Sequence, residues 1–307
     1  MADLALSNSE LELAQRCWRK WYFAAYRNLV LRDEGVAGPR AIGSRIHRAL
    51  AGYYERQLDP VQLIRLEVES DAEAFPEQAE DVLKDGDLCL AMIEGYLEWL
   101  EETGADADLR LISTEREVRQ PFGVIDDVNV EVVGTLDQRV QKISDGSRAF
   151  IDHKTVANFA DTLKIARIAQ QFLHYDLLEY LEFIREQRPP EERTDGGIYN
   201  MLRKVKRTPR ATPPFYMRHE VRHNMDELRS YWLRVAAVAA EIIARRRRLD
   251  AGQDMRSVAY PTPNRDCSWS CDFFPICPLV DDGSDIESVI ESFYEVREPR
   301  YKAGEGT

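Results

Sequence analysis

Along the first third of the chain apolar residues recur at the period of a helix, and from about Leu109 the period drops toward two. Ser7 and Ser9 each stand three residues before a glutamate, a capping-box arrangement, and apolar positions then run through Cys17, Trp21 and Ala24 to about Val30. That pattern predicts a first helix carrying Cys17. A second helix is expected from about Ile42 to Gln57, with Ile46, Leu50, Tyr53 and Tyr54 at helical spacing and Gly43, His47, Leu50 and Tyr54 on roughly one face. Residues 60–103 read as further acidic helices closed by Gly104, with Cys89 on the apolar face of the last. Alternation then marks three strands, "RLISTEREVRQPF", "VNVEVVGTLDQRVQKI" and "SRAFIDHKTV", the last two joined by the turn signal "SDG". A long helix over about 158–187, a strand "GGIYNMLRKV", a basic loop, a helix from about Met225 to Leu249 and a cysteine-bearing loop complete the pattern of a mixed α/β domain.

The third strand ends in Asp152, His153 and Lys154, polar groups where a strand normally keeps packing side chains. With Asp145 and Gly146 as a two-residue turn, Asp137 falls opposite Lys154 and Arg139 opposite Asp152, so Asp137, Asp152 and Lys154 share one face. The two carboxylates are then diagonal neighbours, roughly 7–8 Å apart at Cα, and repel unless a cation neutralises them. One shared divalent ion suits that spacing. A solvated hairpin with Arg139 and Lys154 as ordinary cross-strand partners is the alternative at this point. Gly43 would let the second helix approach closely enough for His47 to join the carboxylates, and Gln171 and Tyr175, four residues apart on the next helix, share a face.

Charge sharpens this picture. The formal net charge of the 307 residues is −13, yet residues 203–222 carry seven Lys or Arg against one Glu, and "RRRR" at 245–248 adds a second basic patch. One face could therefore meet a polyanion while the acidic remainder stays solvated, and a solvated helix end with a charged loop is the alternative on charge alone. Arg203, Lys204, Lys206, Arg207 and Arg210 are the cations such a polyanion would meet first, and were it a single-stranded nucleic acid, Phe215, Tyr216 and Trp232 nearby could stack on its bases. Five cysteines are odd in number and too few for a disulfide framework, which leaves thiols or metal ligands. The chain start lacks a secretion signal and the longest apolar run is about half a membrane span, so a soluble cytoplasmic protein without a membrane partner is expected.

"GSRIHRAL" with His47, "GTLDQRV" with Asp137, "IDHK" with Asp152 and Lys154, and "QFLHY" with Gln171 and Tyr175 follow one another along the chain. Together they resemble the motifs of the PD-(D/E)XK nuclease superfamily, and within it the RecB-like exonucleases, among them CRISPR-adaptation nucleases and phage-encoded relatives. The resemblance implies a restriction-endonuclease-like core with a central mixed β-sheet flanked by helices, a helical insertion and a Cys-rich C-terminal region. The implied layout is an N-terminal helix over 1–40, a nuclease core over 41–222 with its insertion at about 60–105, a C-terminal helix and Cys-rich loop over 223–280, and an acidic, partly flexible tail over 281–307. It further implies that His47, Asp137, Asp152 and the backbone carbonyl of His153 hold Mg²⁺ or Mn²⁺. Lys154 would then orient the attacking water or stabilise developing charge, with Gln171 and Tyr175 in support and Glu115 or Glu117 as a further carboxylate. Cys17 before the core and Cys267, Cys271 and Cys277 after it are bracketed as in the AddB-type branch that holds a [4Fe–4S] cluster. Their CxxxC spacing departs from the commoner one, and four thiolates also suit Zn²⁺. The implied activity is exonucleolytic hydrolysis of single-stranded DNA or DNA ends in recombination, repair or phage DNA metabolism, with any helicase or recombination partner a separate chain. A non-catalytic DNA-binding accessory protein on the same fold is the alternative, and nothing in the sequence fixes an oligomeric state.

Overall fold

A computed structural model describes residues 3–33 and 35–301. The chain divides into a terminal unit, Met1–Glu34, Arg119–Gly134 and Arg229–Thr307, and a central unit, Gly35–Val118 and Thr135–Leu228.

The terminal unit opens with β1 (Asp3–Ser7), α1 (Asn8–Arg16), α2 (Trp18–Trp21), a π-helical turn (Tyr22–Tyr26) and β2 (Leu29–Leu31). Ser7 caps α1 by accepting from the Glu10 backbone N–H. The expected single helix is broken at Cys17, whose backbone is extended (φ −163°, ψ 115°) and turns the thiol out of the helical run.

In the central unit, α3 (Pro39–Arg56), α4 (Pro60–Ala74) and α5 (Ala79–Thr103) pack on one another through Ile46, Leu50, Ile64, Val68, Ile93 and Tyr96. Pro39 and Pro60 sit in the first turns of their helices, and Gly104 closes α5 in the left-handed conformation (φ +59°). Cys89 is fully buried in this cluster, as its apolar neighbours imply, and burial pushes its thiol up to about 12.

The strands follow: β3 (Leu109–Ile125), β4 (Val128–Lys142) and β5 (Arg148–Val156), then α6 (Phe159–Ile165), α7 (Gln170–Arg185), β6 (Thr194–Arg203) and β7 (Tyr216–Val221). β4 runs antiparallel to β5, β5 parallel to β6 and β6 antiparallel to β7, with β3 also paired to β4. This is the expected α/β architecture, a mixed sheet flanked by helices.

Three local expectations are corrected. The β4–β5 hairpin pairs Gln138 with Ile151 and Arg139 with Phe150, a register two residues from the expected one. Lys142 N donates to Ser147 O at 2.8 Å, so four residues form the loop, held by Asp145 accepting from Ser147 N and by Gly146 at φ +77°. The expected helix over 158–187 is divided into α6, a 3₁₀ turn (Ala166–Ile168) and α7, because Ala169 is extended and the Arg167 carbonyl is taken by His223 Nε2 at 2.8 Å. The stretch expected as a basic loop contains β7, whose alternation is hidden by its charged residues.

Side chains on β5 alternate between two helical layers. Phe150 meets Phe172 and Tyr175 of α7, whereas His153 stacks on Tyr54 of α3 at an interplanar angle of 13°. Gly197 on β6 is required here, since a Cβ would fall 2.1 Å from the Phe150 ring. Gly43 is not: a Cβ there meets only Thr155 Oγ1 at 3.5 Å, ordinary contact, so close approach of α3 does not depend on it.

The chain returns to the terminal unit through α8 (Met225–Asp250), α9 (Met255–Val258), α10 (Cys267–Ser270), α11 (Cys277–Asp282), α12 (Ile286–Phe293) and β8 (Tyr294–Val296). The segment expected as a partly flexible tail is thus ordered as far as β8, which pairs with β2 and packs Tyr294 and Ile290 against Phe23 and Phe273. Positions 302–307 of that tail lie outside the described residues.

Candidate active site

Continuing the β4–β5 register by one residue puts Asp137 directly opposite Asp152. Shifting by two residues preserves the face, so Asp137, Asp152 and Lys154 still point the same way. Asp137 Oδ2 accepts from the His153 backbone N–H at 2.7 Å and lies 3.4 Å from His47 Nδ1. Burial alone would push His47 down, but the Asp137 carboxylate more than offsets it and the imidazole pKa is raised; Asp137 is correspondingly lowered despite its own burial.

Among the described residues, one group of three or more His, Cys, Asp or Glu brings its ligand atoms within 4.8 Å of one another: His47, Glu115 and Asp137. Glu115 sits on β3 with φ +44°, a left-handed conformation that costs a non-glycine residue about 1–3 kcal/mol and re-aims the side chain. One imidazole and two carboxylates from α3, β3 and β4 form a mixed N/O set suited to Mg²⁺ or Mn²⁺. Glu117 is not in that group.

Asp152, 1% exposed, stands outside the group and belongs to a second, closed arrangement. Gln171 Nε2 donates to Asp152 Oδ1 at 2.9 Å, Lys154 Nζ lies 3.0 Å from Asp152 Oδ2, and Lys154 Nζ donates to Gln171 Oε1 at 2.9 Å. Tyr175 holds the amide from behind: its hydroxyl accepts from Gln171 Nε2 at 2.9 Å and donates to the Thr135 carbonyl at 3.0 Å. Lysine has only donors, so Gln171 must present its oxygen to Lys154 and its nitrogen to Asp152. Burial pushes Asp152 up to about 6, against the pull of Lys154 and with the push of Asp137. Arg139, its expected partner in the solvated-hairpin alternative, instead pairs with Glu179 at 2.6 Å and with Glu182 on α7.

His153 is anchored by residues that its sequence neighbourhood does not reveal. Asn200 Nδ2 donates to His153 Nδ1 at 2.8 Å, and Arg218 Nε donates to Asn200 Oδ1 at 3.1 Å. Because the guanidinium can only donate, the amide orientation is fixed, and the ring is neutral with its proton on Nε2. Burial, which lowers the ring to about 3, agrees. Arg218 also donates to Asp106 at 2.6 Å, and Tyr54, stacked on His153, donates to the same carboxylate at 3.0 Å.

The basic stretch begins beside the site, since Lys204 N donates to Val156 O at 2.8 Å. Lys206 and Arg207 pair with Asp87 and Glu98 of α5, Arg203 donates to the Thr212 carbonyl, and Arg210 is exposed. Tyr216 is buried with its hydroxyl on the Met92 carbonyl, which removes it as a stacking platform. Phe215 packs on the helical core, and Trp232, in the terminal unit, lies against Phe122.

The terminal unit gathers the other sequence-predicted ligands. Cys17, Cys267, Cys271 and Cys277 all line one cavity of about 260 Å³, together with Pro261, Pro263 and Phe274. Thr262 N donates to Cys17 Sγ and Asn264 N to Cys267 Sγ, each at 3.4 Å. Burial raises the Cys271 and Cys277 thiols. Arg19, 1% exposed, ties α2 to this loop through the Ala259 and Cys277 carbonyls and Asp281.

No helix among the described residues is long and apolar enough to cross a membrane. No curated protein matches the chain. The family model of the PD-(D/E)XK nuclease superfamily matches residues 5–278, which span the mixed sheet, both carboxylate arrangements and all four cavity cysteines. The chain belongs to the PD-(D/E)XK nuclease superfamily.

Proposed function

We propose that this chain is a metal-dependent deoxyribonuclease, acting as an exonuclease on single strands or DNA ends in recombination, repair or phage DNA metabolism. The observation that carries the reading is the closed Lys154–Asp152–Gln171 arrangement on the same face as Asp137, beside the His47–Glu115–Asp137 group. His47, Glu115 and Asp137 would hold Mg²⁺ or Mn²⁺, with Asp152 and the His153 carbonyl joining them. Bound there, the ion supplies Lewis-acid activation of a phosphodiester and a water of lowered pKa. Lys154, one-third exposed at its side chain, would orient the attacking water or stabilise charge on phosphorus. Gln171 and Tyr175 keep the ammonium at that point, and Lys204 and Arg210 would neutralise phosphates.

The same reading assigns the four cavity cysteines to a [4Fe–4S] cluster. Four thiolates would also hold a zinc ion, at Zn–S near 2.3 Å. A larger cluster suits the 260 Å³ cavity, and the two backbone N–H donors to sulfur are of the kind that stabilise such clusters.

Purified full-length protein should degrade single-stranded DNA with Mg²⁺ or Mn²⁺ and not with EDTA, and Asp152→Asn should abolish this while DNA is still bound. DNA binding without metal-dependent cleavage in the wild type would leave the accessory reading in its place.

A further inference from the structure

The chain between Lys154 and Gln171 leaves the sheet and returns to the point it left, since those two side chains are 2.9 Å apart. α6 and the 3₁₀ turn are therefore an excursion pinned at both ends to the catalytic lysine. Ile165 on this excursion is 55% exposed and Ile168 73% exposed. Single exposed apolar residues are ordinary, but two large ones within four positions on a loop anchored at a reactive group form a directed apolar tip.

That tip is rigidly mounted. Phe159 and Ala166 are buried, Asn158 caps α6, and His223 fixes the Arg167 carbonyl. Both ring nitrogens of His223 face acceptors, Asp176 and that carbonyl, so the imidazolium braces the turn against α7. Lys164 and Arg167 each directly precede one of the isoleucines, with side chains 71% and 72% exposed. Their partners, Asp161 and Glu227, form surface pairs of the kind worth about 0–1 kcal/mol, easily exchanged for phosphate oxygens. An apolar tip with a cation beside each isoleucine is the chemistry of a wedge that enters a base stack while the cations ride on the backbone.

We propose that residues 163–168 form a strand-separating wedge: Ile165 and Ile168 insert against the terminal base pair of a duplex, unstack it, and direct one strand to Lys154. The proposal deepens the nuclease reading and rests on it. The flanking charges favour DNA over a protein partner for this patch.

The test uses the full chain and a duplex carrying 2-aminopurine in its terminal pair, without divalent metal, so that no cleavage is needed. Wild-type protein should raise the emission severalfold as the end opens. The double variant Ile165→Ser/Ile168→Ser, altered only at exposed positions, should bind the duplex but lose most of that rise. In Mn²⁺ its ratio of blunt-duplex to single-strand cleavage rates should fall about tenfold. No emission rise with the wild type, or an equal rise and rate ratio in the variant, overturns the wedge; the second result assigns the patch to a protein partner. Absence of any cleavage by the wild type overturns the nuclease reading instead, and the fluorescence result stands apart from it.

Discussion

The two ligand-bearing regions are built on opposite principles. In the central unit the reactive groups already hold one another: Lys154, Asp152, Gln171 and Tyr175 are linked by hydrogen bonds of 2.9–3.0 Å, and His153 is fixed through Asn200 and Arg218. In the terminal unit four thiols line a cavity, two of them, Cys17 and Cys267, accepting from backbone N–H groups. A site that must act on a passing substrate is preorganised by its own side chains. A cavity that encloses the proposed cluster would be shaped around it, and its walls would depend on that guest for cohesion.

The contrast is broken most severely at the lysine. Lys154→Ala should lower kcat on single-stranded DNA by about 10²–10³-fold, the usual cost of removing one group that stabilises developing charge. DNA affinity, measured by anisotropy without metal, should change little. A comparable loss of affinity and rate would mean that Lys154 is a binding residue.

Next in size is a pH effect peculiar to the preorganised site. Asp152 titrates near 6 in the folded protein against 3.8 for a free carboxyl, so the fold favours its neutral form. Its contribution is present below about pH 4, declines as pH rises to about 6 and is flat above, a loss of about 3 kcal/mol at ~1.4 kcal/mol per unit. Two neighbours act as well: the raised His47 loses its contribution as pH rises through its folded value, and the lowered Asp137 loses its own as pH falls. Urea titrations of the metal-free protein against Asp152→Asn isolate the Asp152 share. Metal should restore stability chiefly above pH 6, and identical pH profiles for the two proteins would refute the assignment.

For the proposed cluster site, Cys277→Ser should abolish broad visible absorbance and lower the melting temperature by roughly 5 °C or more. Single-strand cleavage at low temperature should persist, because Arg19 still ties α2 to the cysteine loop. A colourless wild-type protein containing zinc by elemental analysis would reverse the choice of guest.

These regions also differ in how openly the sequence announces them. The hairpin register was expected two residues away, yet a period of two forgives an even shift, so the shared face of Asp137, Asp152 and Lys154 was legible. Choosing Glu115 over Glu117 was not, because it depends on a left-handed residue inside a strand that no local pattern marks. Asn200 and Arg218 reach His153 across neighbouring strands, and only the pairing of β5, β6 and β7 brings them there. Cysteine bracketing is legible through the family resemblance, whereas the break at Cys17 is concealed by helical periodicity on both sides of it. The basic stretch showed its charge but not its partners, the acids of α5 that engage Lys206 and Arg207.

The smallest expected effect probes how much of the preorganisation comes from behind the reactive face. Tyr175→Phe removes only a hydroxyl, leaving the Thr135 carbonyl and one Gln171 hydrogen without their present partner while the ring keeps its packing on Phe150. Loss of one net hydrogen bond is worth about 0.5–1.5 kcal/mol. If the amide holds the lysine, that loss should appear as a roughly threefold to tenfold fall in kcat with KM nearly constant, because Gln171 can then swing without altering the surface that DNA meets. Equal falls in stability and no change in kcat would show that Tyr175 serves only the core, and that Asp152 alone positions the ammonium.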